Sequence, residues 1–74
     1  MNNVLKARYK ADINLAIARA QVGRELRTVR ASDGAEVYAY PHREGIAWGV
    51  NAAGSGVNIL RGIRRPDGTD KAVS

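Results

Sequence analysis

At Gly23 the hydrophobic pattern of this chain changes period, and that change restricts it to a helix followed by a sheet. Residues 3–22 contain neither glycine nor proline and read as one helix, with Asn3 as N-cap and Gly23 as the C′ residue. Beyond Gly23, alternation predicts strands at about 25–31, 35–40, 46–51 and 57–63. Their connections are Ser32-Asp33-Gly34, Pro41 to Gly45 and Ala52 to Gly56, all short enough to favour antiparallel neighbours. The expected fold class is α+β: one N-terminal helix packed on a four-stranded antiparallel meander sheet. Residues 1–63 form the single domain in this reading. Residues 64–74, which open on Arg64-Arg65-Pro66-Asp67-Gly68, have turn chemistry and read as a flexible C-terminal tail.

The first hairpin allows its register to be argued. A two-residue Asp33-Gly34 loop pairs Arg30 with Val37 and Val29 with Tyr38. A three-residue Ser32-Asp33-Gly34 loop pairs Arg30 with Glu36 and Val29 with Val37, joining opposite charges and joining apolar to apolar. The second register is expected.

At 100° per residue the helix carries two apolar stripes. Leu5, Tyr9, Ile13, Ala16, Ile17 and Ala20 form the bulkier one, which should meet the sheet. Its partners are expected to be Val29, Val37, Ile46, Trp48, Val50, Val57, Ile59 and Ile63. Val4, Ala7, Ala11, Leu15, Ala18 and Val22 form the second stripe, with coiled-coil-like spacing and mostly small side chains. Unless the sheet curls round to cover it, that stripe is a protein interface for a partner helix or for a second copy in a homodimer.

A chain of 74 residues has room for one domain, and without cysteine it has no disulfide or thiolate zinc site to support a small core. No apolar run approaches the ~20 residues of a membrane span, and no signal-peptide apolar region follows the first charges, so a cytoplasmic location with no membrane contact is expected. His42, the one histidine, stands in a turn with no second histidine to make it a ligand pair. The acids are scattered, and Gly54-Ser55-Gly56 lacks the lysine and strand–helix context of a phosphate loop. No enzyme, metal or cofactor is expected.

The charge is more informative. The net charge is +5, and residues 1–31 hold all of the excess, with seven bases against two acids. Arg24, Arg27 and Arg30 recur every three residues, close in sequence to Arg19, with Lys6 and Lys10 upstream. Such a set suits phosphate, and Tyr38 and Tyr40 on one strand face suit stacking on unpaired bases. The expected function is a non-enzymatic binding protein that docks this basic helix–strand surface on nucleic acid or a nucleoprotein complex. In size, self-contained plan and lack of catalytic residues the chain also resembles the small accessory proteins of phages and mobile elements. Those include anti-CRISPR and other host-directed inhibitors, which implies acting by occupying a surface. The alternative is therefore an inhibitor or adaptor that meets an acidic protein surface through the second helix stripe or the outer sheet face.

Overall fold

The computed structural model describes residues 3–55 and 58–73. Its elements run α1 (Asn3–Arg8), α2 (Lys10–Gly23), β1 (Arg27–Arg30), β2 (Glu36–His42), β3 (Gly45–Asn51), β4 (Leu60–Arg64) and β5 (Asp70–Ala72). The strands form one antiparallel sheet in the order β1-β2-β3-β4-β5, a meander one strand longer than expected. Side-chain capping by Asn3 and the placement of Val57 lie outside the described residues.

The expected single helix is two helical segments joined at Tyr9, whose φ of −109° and ψ of 22° interrupt the helical dihedrals. The ladder nevertheless continues: Tyr9 N–H donates to the Leu5 carbonyl at 3.2 Å and Ile13 N–H to the Tyr9 carbonyl at 2.8 Å. Tyr9 is also where the helix is tied to the first hairpin, because its hydroxyl donates to the Asp33 carboxylate. That hydrogen bond, the Ala35 N–H and the Arg8 charge together hold the Asp33 carboxyl below its usual range.

The helix end also differs from expectation. Gly23 remains helical, and Arg24 takes the left-handed cap with φ 56° and ψ 35°. A Cβ on Gly23 would lie 2.5 Å from Arg27 Nη2, so the glycine admits the Arg27 side chain rather than the left-handed turn. Placing a non-glycine residue in that conformation costs about 1–2 kcal/mol.

The first hairpin has the three-residue loop, with Val29 opposite Val37, Arg30 opposite Glu36, and Gly34 at φ 89°. The bulkier helix stripe meets the sheet, burying Tyr9, Ile13, Ala16, Ile17 and Ala20 against Val29, Val37, Ala39, Ile46, Trp48 and Val50. Trp48 is 1% exposed and forms the centre of this layer. Its neighbour on β4 is Gly62, where a Cβ would fall 2.8 Å from the indole. The indole takes the space that a side chain at position 62 would need.

That demand explains two misplaced core residues. With Gly62 facing the helix, Ile63 is opposite Ala47 on the other sheet face. The ladder then shifts between Trp48 and Gly49, so that Gly49 pairs with Leu60 and Arg61 is the extra residue of a β-bulge. Ile59 lies beyond this irregularity and is 46% exposed instead of joining the core.

The stretch expected as a tail carries β5, paired with β4 through Gly62–Ala72, Ile63–Lys71 and Arg64–Asp70. Its turn is closed by Arg65 N–H to the Thr69 carbonyl at 2.8 Å and by Thr69 N–H to the Asp67 carboxylate at 2.9 Å. Alternation could not reveal this strand, because charge holds it. The Asp70 side chain is 5% exposed, accepts hydrogen bonds from Arg64, and lies 2.7 Å from Lys6 Nζ. Burial pushes the Asp70 carboxyl up, but Arg64 and Lys6 outweigh it and leave the group below its usual value of 3.8.

A folded-state value below the unfolded one means that the pair stabilises β5 fully above about pH 4 and loses that effect as pH falls through the folded value. Amide exchange across β5, corrected for its intrinsic pH dependence, should accelerate below about pH 4 relative to the β2–β3 amides. Asp70→Asn should show the fast exchange at every pH. Equal protection of β5 at pH 3 and pH 7 would refute the coupling.

Candidate nucleic-acid interface

An antiparallel meander places alternate turns at the same end of the sheet. Here the C-terminus of α2 and the start of β1 share an end with the β2–β3 turn around Arg43 and the β4–β5 turn after Arg64. The other end holds the Asp33 turn and the connection after Asn51. Basic residues far apart in sequence therefore converge at the first end.

They line a groove between the helix and the last three strands. Its upper part, about 630 Å³, is bounded by Lys6, Lys10 and Asn14 on the helix and by Arg64 and Asp70 on the sheet. Its lower part, about 420 Å³, is bounded by Gln21, Arg24, His42, Arg43, Arg64 and Arg65. Arg64 and Gly68 line both parts, so the two hollows adjoin. Six cations line it against one carboxylate, Asp70.

The charge is uneven along the groove. In the upper part Asp70 takes both Lys6 and Arg64, and Arg64 Nη2 also donates to Asn14 Oδ1 at 3.2 Å. Lys10 has no ion-pair partner among the described residues. In the lower part Arg24 and Arg43 likewise have none, while Arg65 Nη1 donates to the Thr69 hydroxyl at 3.1 Å. The nearby acids spend their hydrogen bonds elsewhere, Glu44 on Lys71 at 3.0 Å and Asp67 on Thr69 at 2.6 Å, while the charges of Arg43 and Arg65 add to the lowering of the two carboxyls.

The residues singled out in the sequence fall into separate groups. Lys6, Lys10 and Arg24 line the groove. Arg19 and Arg27 lie on the opposite flank of α2, around a hollow with Ala18 and Val22, and Arg27 pairs with Glu25 at 2.8 Å. Arg30 is on the other face of β1, 3.8 Å from Glu36, because residues three apart in a strand point to opposite sides. The three-residue recurrence of Arg24, Arg27 and Arg30 thus does not make one surface.

Tyr38 and Tyr40 share the sheet face away from the helix, and their rings stack on each other at 6.2 Å with an interplanar angle of 2°. Tyr38 lies across Gly49 and is 4% exposed, which leaves almost no ring surface for an incoming base. Burial pushes its hydroxyl pKa up, Tyr40 adds to the shift and Arg61 opposes it.

The second helix stripe is uncovered. Val4 and Val22 are 78% and 86% exposed, Leu15 is 41% exposed, and Ala7, Ala11 and Ala18 are exposed with them. The sheet does not curl round the helix.

Sequence reasoning missed Arg43, Arg64 and Arg65. The signal is the meander, which assigns those turns to the end where the helix stops, whereas charge along the chain does not distinguish the two ends of the sheet. Among the described residues no cluster of three or more histidine and acidic side chains could hold a metal ion, and no helix is long and apolar enough to cross a membrane. Compared with known protein families, with curated proteins and with solved structures, the chain finds no match.

Proposed function

We propose that the protein is a non-enzymatic binding module that docks on nucleic acid, free or within a nucleoprotein complex, through the groove beside α2. What supports the reading most is the concentration of six cations against one carboxylate in the lining of two adjoining hollows. Phosphate neutralisation by such a lining gives binding that tolerates sequence and weakens steeply with salt. Titration of labelled single- and double-stranded RNA and DNA at two salt concentrations tests it, with the Lys10→Ala, Arg24→Ala, Arg43→Ala triple variant alongside. Absence of binding by the unmodified protein at low salt would end this reading. Arg19, Arg27 and Arg30 contribute only through the general field, so replacing them should lower affinity far less than replacing the groove residues.

A second reading is an inhibitor or adaptor that acts by protein contacts, and the exposed stripe from Val4 to Val22 favours it. Ala11 is exposed at the middle of that stripe, so Ala11→Glu should leave the fold intact and abolish any association made there. Sedimentation of both forms over a concentration series checks self-association. Identical behaviour of the two, with any partner still bound by the variant, removes the stripe as an interface.

A further inference from the structure

Within the groove, which rests on the nucleic-acid reading above, the two halves are not equivalent. We infer that the lower half is a phosphate pocket that takes the terminal phosphomonoester of a nucleic-acid strand. In the upper half a carboxylate has already claimed two of the cations, so Lys10 is the charge left for a ligand. In the lower half Arg24 and Arg43 are unpaired, and Arg65 spends one donor on a neutral hydroxyl. Arg24, Arg43 and Arg65 thus bring three guanidinium forks to one hollow of about 420 Å³, none within ion-pair distance of a carboxylate among the described residues, with Glu44 and Asp67 acting on Arg43 and Arg65 only at longer range.

A guanidinium offers five donors in a planar fork that matches phosphate oxygens. A phosphodiester within a strand carries one negative charge and two unbridged oxygens. A terminal phosphomonoester carries close to two charges and three such oxygens. The lower half has charge and donors to suit the terminal group, whereas a single positioned lysine in the upper half suits a phosphodiester.

His42 also lines the hollow, and its Nδ1 accepts from Glu44 N–H at 3.1 Å. The C-terminal carbonyls of α2 oppose an anion here, but they amount to about half an elementary charge and one arginine offsets them. Arg24 occupies the left-handed cap directly after a glycine, so the residue that would relax the backbone is adjacent and the arginine stands at the pocket instead.

The test compares one single-stranded oligonucleotide in three forms: with a 5′-phosphate, with a 3′-phosphate, and with hydroxyls at both ends. At constant ionic strength at least one phosphorylated form should bind about tenfold more tightly than the hydroxyl form. Inorganic pyrophosphate should compete more strongly against that form than against the hydroxyl form. Arg24→Ala with Arg43→Ala should remove the difference, while Lys10→Ala weakens all three forms by the same factor. Equal affinity for the three forms overturns the pocket and leaves the groove as a nucleic-acid site. No binding of any form at low salt overturns both. Competition by pyrophosphate is measured on the unmodified protein, so the test does not depend on the double variant folding.

Discussion

Trp48→Ala should leave the protein only marginally folded at 37 °C. The indole is 1% exposed, and removing a large buried side chain of this kind costs about 3–5 kcal/mol. A domain of 74 residues has a total stability toward the low end of the usual ~5–15 kcal/mol, so the loss consumes most of it. Relaxation cannot readily fill the space, because the residue beneath the indole is Gly62 and contributes no side chain. Urea titration followed by far-ultraviolet circular dichroism measures the effect. A loss below about 1 kcal/mol would mean that the core is centred elsewhere. Gly62→Ala attacks the same contact from the opposite side, and its cost should be about 1–3 kcal/mol through overpacking.

Neutralising Lys10, Arg24 and Arg43 together should reduce the dependence of log affinity on log salt by about 2–3 in slope. Each phosphate contact contributes about 0.7 for a single strand and 0.9 for a duplex. None of the three side chains forms an ion pair within 4 Å among the described residues and all are exposed, so their removal should change stability little. Lys6 and Arg64 are a poor choice for this experiment, since both hold Asp70 and their loss would loosen β5. An unchanged slope in the triple variant, with affinity intact, would place any nucleic-acid contact outside the groove.

Much of the fold was readable because local chemistry and long-range pairing agree. The Arg30–Glu36 register followed from the loop length and the charge pair, and the Tyr9–Ile13–Ile17 stripe followed from helical spacing. Ile63 was misplaced because period-two alternation contains no bulge, and this bulge exists to seat an indole over Gly62. β5 was invisible for a different reason. Asp70, Lys71 and Ala72 bury almost no apolar surface, and the strand is held by Arg64 and Lys6, whose partners cannot be read from spacing.

The candidate site was legible in half. Lys6, Lys10 and Arg24 were chosen from a charge run and do share a groove, but the run also drew in Arg27 and Arg30, which strand geometry sends to opposite faces. Arg43 and Arg65 come from turns that only the sheet topology brings together.

The way β5 is held has a bearing on solubility. A short strand whose side-chain anchorage is ionic covers β4, whose Leu60-Arg61-Gly62-Ile63 run would present unpaired amides and carbonyls once exposed. At neutral pH the outermost strand is short, polar and charged, a poor template for another chain. Protonation of Asp70 in acid would loosen that cover, so the Asp70 carboxylate is expected to disfavour edge-to-edge pairing between copies.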